Sequence, residues 1–152
     1  TGLGAQMGKF KHGIGTPQPF RFLTYDGISP ADLKTELDNL NIAGLSFQLK
    51  TLKNNSGKDI EGVYIVLTDW SKWRPTELAF YMMQLSAKWE APSPFTQAKE
   101  SEVTLFNKHV GSSSWWNHLF QSGASCEPRK FLIGWDTETR SFKDKVSKYY
   151  LY

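Results

Sequence analysis

Residues 44–68 read Gly-Leu-Ser-Phe-Gln-Leu-Lys-Thr-Leu-Lys-Asn-Asn-Ser-Gly-Lys-Asp-Ile-Glu-Gly-Val-Tyr-Ile-Val-Leu-Thr, and the rest of the chain is interpreted outward from them. Leu45, Phe47 and Leu49 alternate with Ser46, Gln48 and Lys50, the period of two that marks a half-buried strand over about 44–52. Asn54 to Lys58 is turn chemistry, because Asn and Gly reach backbone conformations that other residues avoid. Ile60 to Thr68 is β-branched and apolar, as a central strand is. Two strands around a short Asn/Gly turn form an antiparallel hairpin. Such a hairpin buries one face only if another element covers it.

The covering elements flank it. Upstream, Ser29 is placed to cap a helix, Pro30 suits its first position, and Asp32 follows Ser29 at capping-box spacing. Leu33, Leu37 and Leu40 recur at i, i+4 and i+7 and form one apolar stripe. Before that helix, Phe20 to Tyr25 (FRFLTY) reads as a strand with Phe20 and Phe22 on one face and Arg21 and Leu23 on the other. Downstream, a second helix is expected from about Pro75 to Trp89, striped by Leu78, Met82, Leu85 and Trp89 and followed by Pro92. Strand, helix, strand, strand, helix opens a split β-α-β arrangement, and Lys130 to Trp135 (KFLIGW) is expected to close it as a last strand. The fold expected is therefore α+β and ferredoxin-like: a mainly antiparallel sheet of about four strands with two main helices on one face. The interval 91–129 reads as a short strand at Glu102 to Phe106 and a helix at Ser113 to Gln121 stopped by Gly123. Five glycines and two prolines make 1–19 a flexible basic arm, 20–142 a single domain, and 143–152 a basic, aromatic tail.

Composition narrows the classes. The 152 residues include 10 Phe, 6 Trp and 6 Tyr, enough ring surface to build a packed core. The net charge is only +3, and the cations are 14 Lys against 4 Arg, which permits a polyanionic partner without demanding one. The single cysteine, Cys126, excludes an intrachain disulfide and any zinc site with two thiolates. The longest apolar run, Leu78 to Met83, is far short of the ~20 residues that span a bilayer. No signal peptide opens the chain, so an intracellular location without membrane association is expected, and the non-Met start suggests a processed product or a piece of a longer chain.

Chemistry-bearing motifs are sparse. Asp136-Thr137-Glu138, placed at the end of an expected strand, resembles the first motif of the DEDD exonucleases, whose paired carboxylates hold divalent metals. That family carries its other acids downstream, whereas only Asp144 follows here, so no catalytic metal is expected at Asp136 and Glu138. His109, His118 and Cys126 lack metal-ligand spacing, and Cys126 is expected as a small core residue. Ser112 to Ser114 lack a nucleophile elbow and are expected to cap a helix. Neither Gly2-x-Gly4 nor Gly13-x-Gly15 follows a strand, so neither is a phosphate loop. No catalytic residue and no cofactor are assigned, and a non-enzyme is expected.

Rings and cations together remain. The four-stranded topology resembles that of RNA-recognition domains, which stack bases on strand aromatics, and Gly62, Tyr64 and Val66 are compatible with their strand motif whereas Glu61 is not. The expected function is thus a non-enzymatic nucleic-acid-binding module for single-stranded RNA. Its expected contacts are Lys9, Lys11, Tyr64, Lys72, Arg74 and Trp115, together with Lys143, Lys145, Lys148, Tyr149 and Tyr150. The alternative is a structural or protein-interaction domain of a larger assembly or polyprotein, a viral one included, with a homo-oligomer left open. Trp115 and Trp116 point about 100° apart on a helix, so Trp116 is assigned to the core and Trp115 to a partner.

Overall fold

The structure, a computed structural model, describes residues 1–150. The hairpin forms as β3 (Leu45–Lys53) and β4 (Asp59–Leu67), antiparallel and in register from Leu45 opposite Leu67 to Lys53 opposite Asp59. Its turn closes on Asn54, whose Oδ1 accepts from the backbone N–H of Ser56 at 3.0 Å and of Lys58 at 2.9 Å. β2 (Phe22–Tyr25) pairs antiparallel with the other side of β4, and a two-residue β1 (Phe10–Lys11) pairs antiparallel with β2. The sheet order is β1-β2-β4-β3. Close approach of β2 to β4 depends on Gly62: a Cβ there would stand 2.6 Å from the Phe22 ring and 2.7 Å from the Leu23 carbonyl oxygen.

α1 (Pro30–Asn39) carries the chain from β2 to β3 and leaves β4 between them. The Ser29 hydroxyl accepts from the Asp32 N–H at 3.1 Å, and Leu33 and Leu37 are fully buried. α2 (Glu77–Trp89) is apolar on two sides. Leu78, Met82 and Leu85 join the cluster that α1 and the sheet make with Leu23, Phe47 and Val63. Phe80, Met83 and Ala87 join a second cluster built with α3 (Glu100–Val110), α4 (Ser113–Ser122) and α5 (Pro128–Val146). The described residues thus form an α+β fold with a four-stranded antiparallel sheet and five α-helices, none long and apolar enough to cross a membrane.

Several expectations need correction. Lys130 to Trp135 is no strand; it lies inside α5. Phe131, Leu132 and Trp135 fall at i, i+1 and i+4, which suits one side of a helix, and Pro128 stands at the helical start. The place beside β2 goes instead to β1, where buried Phe10 meets Tyr25 edge to face at 4.7 Å. Glu102 to Phe106 is likewise helical: Val103, Phe106 and Val110 share a side of α3, and the Glu102 carboxylate accepts from the Lys99 N–H at 2.8 Å. Leu49 alternates with half-buried Leu45 and buried Phe47 but is 54% exposed, since burial along β3 fades after Phe47.

Trp115 is the sharpest reversal. It is fully buried, as Trp116 nearly is. Rings about 100° apart are both buried because α4 is covered on two sides. Trp115 packs on Phe80 at 5.0 Å and Phe131 at 5.3 Å, and its indole N–H donates to the Met83 sulfur at 3.2 Å. Trp116 packs the other way, on Phe106 at 4.9 Å and Phe95 at 6.1 Å.

Leu37→Ala is expected to cost about 2–5 kcal/mol, because a fully buried leucine loses both transfer energy and packing. Leu49→Ala is expected to change stability by less than about 0.5 kcal/mol. Urea unfolding of both variants checks the assignment, and equal losses would contradict it.

Candidate functional site

Local backbone chemistry first sets where the loop between β4 and α2 goes. Gly44 lies at φ 81°, and a Cβ there would come within 2.4 Å of the Asp69 carbonyl oxygen. Its own carbonyl accepts from the N–H groups of Thr68 at 2.8 Å and Asp69 at 3.3 Å, which pins the loop to the start of β3. Asp69 then shapes the turn by accepting from the Ser71 N–H at 2.9 Å and its hydroxyl at 2.6 Å, contacts that hold its carboxyl below the usual range. Trp73, Arg74 and Glu77 are presented as a result.

They form one wall of a cleft of about 1080 Å³. The end of α1 closes it at Asn39 to Asn41, and the opposite wall is one side of α5. Arg129, Ile133, Asp136 and Arg140 follow one another there at i, i+4, i+7 and i+11. Arg74 and Asp136 join the walls by an ion pair of 2.6 Å. Glu77 sits among these charges. Burial raises its carboxyl above the usual range; Arg74 and Arg129 pull it down, while Asp136 adds to the rise. Tyr81, one turn further along α2, has its phenol raised by burial and by the charge of Glu77, with Arg129 opposing. Four cationic residues (Lys72, Arg74, Arg129 and Arg140) therefore face two carboxylates in the lining. Such an arrangement offers paired donors and acceptors to hydroxyl and amide groups and a positive excess to an anion.

Trp73 also borders a second depression, an apolar basin of about 430 Å³ lined by Phe20, Leu45, Ile65, Leu67 and Trp70. Trp70 is 76% exposed and meets Trp73 edge to face at 5.6 Å. Phe20 holds a left-handed backbone at φ 63°, anchored by its N–H on the His12 carbonyl at 2.6 Å.

Of the residues assigned from sequence, only Lys72 and Arg74 reach this cleft. Lys9 pairs with Glu90 at 2.8 Å beside the end of α2, and Lys11 pairs with Asp26 at 2.6 Å. Tyr64 lies between Arg21 and Lys50, whose cationic groups stand 4.9 Å and 4.4 Å from its ring. Trp115 is in the core. Lys143 and Lys145 stand exposed on the last turn of α5; Lys148, Tyr149 and Tyr150 follow, with the Lys148 ammonium 5.1 Å from the Tyr149 ring. Tyr152 of the expected tail lies outside the described residues. Asp136 and Glu138 were paired on a strand; on helix α5 they point about 200° apart, and only Asp136 enters the cleft. Among the described residues no three His, Cys, Asp or Glu side chains gather as a metal site. Burial pushes the Cys126 thiol up to about 12, and the His118 Nε2 accepts from the Glu127 N–H at 3.0 Å, so neither is set up as a nucleophile or its base. Glu77, Tyr81, Arg129 and Arg140 went unassigned. The signal for Arg129 and Arg140 is the helical spacing of 129, 133, 136 and 140, visible only once Pro128 is taken as a helix start, and that for Glu77 and Tyr81 is their i, i+4 spacing on α2.

Comparison with known proteins bears on what such a cleft serves. The family model described as exo-beta-N-acetylmuramidase NamZ, C-terminal, matches residues 1–152. The fold is shared with the crystal structure of a DUF1343 family protein from Bacteroides fragilis NCTC 9343, at a TM-score of 0.78 and 23% identity. That match takes in 99% of this chain and 40% of that one, so this chain spans less than half the length of its structural neighbour. No curated protein matches the chain. The family match overturns the RNA-binding expectation and the viral or structural alternative, because the matched family is part of a carbohydrate-cleaving enzyme. It equally overturns the non-enzyme expectation, with the qualification that the match is to the enzyme's C-terminal part.

The cleft predicts a pH signature. A half-buried carboxyl whose pKa is raised on folding opposes folding once it ionises, above the ordinary carboxyl range, and contributes nothing below it. Glu77→Gln is therefore expected to raise Tm relative to the parent at pH 7 and to lose that advantage near about pH 3. Thermal melts at the two pH values decide it, and a difference independent of pH would show Glu77 to be solvated.

Proposed function

The chain belongs to the family of the NamZ C-terminal domain, and from that membership we propose that it is the C-terminal part of a carbohydrate-processing enzyme acting on β-linked N-acetylmuramyl ends, with the cleft between α2 and α5 facing the saccharide. The observation that carries the assignment to this cleft is the meeting of unlike groups from separate elements. Trp73 offers indole surface and Tyr81 a phenol, Glu77 and Asp136 can accept hydrogen bonds, and Arg74, Arg129 and Arg140 can donate them. A pyranose has apolar ring faces and a rim of hydroxyl and amide groups, so it needs that combination of aromatic surface and fixed polar partners. The apolar basin beyond Trp73 extends the aromatic surface past the polar cleft.

We also read β2-α1-β3-β4-α2 as a ferredoxin-like split β-α-β unit in which β1 occupies the edge that a closing strand takes. The order β1-β2-β4-β3 and its antiparallel pairings support that reading.

Isothermal calorimetry of the chain with a β-linked N-acetylmuramyl disaccharide tests the cleft. Binding is expected, and Trp73→Ala is expected to weaken it by about tenfold, the loss of one stacked ring. A protein that binds no such saccharide, or that binds it unchanged in Trp73→Ala, would place the sugar elsewhere.

A further inference from the structure

We propose that Arg129 is the residue by which the cleft selects an acidic amino sugar over a neutral one, its guanidinium taking the sugar carboxylate; the inference rests on the saccharide reading of the cleft. The chemical distinction to be made is small. An N-acetylmuramyl unit differs from an N-acetylglucosaminyl unit by a lactyl ether bearing one carboxylate. Discrimination therefore needs a cation that is free to accept an anion and fixed where the sugar lies.

The cations of the cleft differ in availability. Arg74 is committed to Asp136 at 2.6 Å, and Lys72 to Asp69 at 3.3 Å. Arg140 lies eleven residues along α5 from Arg129, about 16 Å at 1.5 Å per residue, at the far end of the wall. Arg129 makes no ion pair with any described side chain, yet it stands close enough to Glu77 and Tyr81 to act on both. Of the two carboxylates that could repel an incoming anion, Asp136 is neutralised by Arg74 at 2.6 Å, and Glu77 has both Arg74 and Arg129 acting on it. A planar fork of donors in that position matches a carboxylate in shape as well as charge.

Its placement is also poor for stability, which argues that packing did not choose it. Arg129 occupies the first turn of α5, where the helix dipole disfavours a cation and no acidic residue compensates within that turn. Lys130 beside it reaches Glu127 at 3.9 Å, and Arg129 has no such relief. A cation with no ion pair among the described residues, set in the first turn of α5 and lining one cleft with Glu77 and Tyr81, is disposed for a ligand.

The test compares two disaccharides, one ending in N-acetylmuramic acid and its counterpart ending in N-acetylglucosamine, by calorimetry on the chain and on Arg129→Gln and Arg129→Lys. The parent is expected to prefer the acidic sugar by about tenfold or more, the weight of a charge-assisted hydrogen bond. Arg129→Gln should bring that ratio towards one, and Arg129→Lys should keep part of it, a point charge without the fork. Melting of Arg129→Gln at or above the parent temperature shows the fold intact, as relief of the dipole clash requires. Equal affinity of the parent for both sugars, or an undiminished preference in Arg129→Gln, overturns the role of Arg129 and leaves the saccharide reading standing. Failure of both sugars to bind the parent overturns the saccharide reading itself and the inference with it.

Discussion

Everything in this fold hangs on α2 being buried from two directions. Eight of its thirteen residues are buried, from Leu78 to Ala87. A helix with one apolar stripe rests on a sheet and shows its other side to water. Here Leu78, Met82 and Leu85 serve the sheet side, while Phe80, Met83 and Ala87 serve α4 and α5. The chain thereby stacks a second helical layer on the back of a small sheet domain. Tyr81 is the residue that touches both clusters, and it is also a wall of the cleft. The site forms where the two layers part company, at the N-terminal end of their shared helix.

That arrangement explains what could be read in advance. The hairpin, α1 and its Ser29 cap were legible because each is decided by nearby residues: alternation over 44–52, Asn/Gly in the turn, and leucines at helical spacing behind a serine and a proline. The second layer was not, because its elements are defined by what covers them. Phe131, Leu132 and Trp135 suit a strand in isolation and a helix only against Phe80 and Trp115. Trp115 looked like an outward ring for the same reason, since nothing local says that α4 has neighbours on two sides. β1 is too short to announce itself by pattern, and its place in the sheet follows from Phe10 finding Tyr25 and Trp89.

The site suffered most from that blindness. Lys72 and Arg74, expected from the sequence as contact residues, both line the cleft. The family match overturns the nucleic-acid chemistry expected of them, and the far wall, one side of α5, is hidden from local sequence pattern. Once α5 is a helix, Asp136 parts from Glu138 and meets Arg74, and Arg129 and Arg140 line up on either side of it. A sequence motif of two acids dissolves, and a cross-cleft constellation of acids and guanidiniums replaces it. The mildly basic balance of the chain gave no hint of this, since the excess that matters is local to one lining.

The outer position of β3 carries a consequence for the molecule in concentrated solution. With the order β1-β2-β4-β3, one border of a nine-residue strand has no strand neighbour among the described residues, and its row of amide and carbonyl groups is a template for a foreign strand. Lys50 and Lys53 stand on that strand, one over the Tyr64 ring and the other paired with Asp59. The Lys50 charge, unmatched by any described carboxylate, opposes side-by-side stacking of two such borders. The exposed Leu49, set between Gln48 and Lys50, is thus kept from nucleating fibrillar self-association by its immediate neighbours.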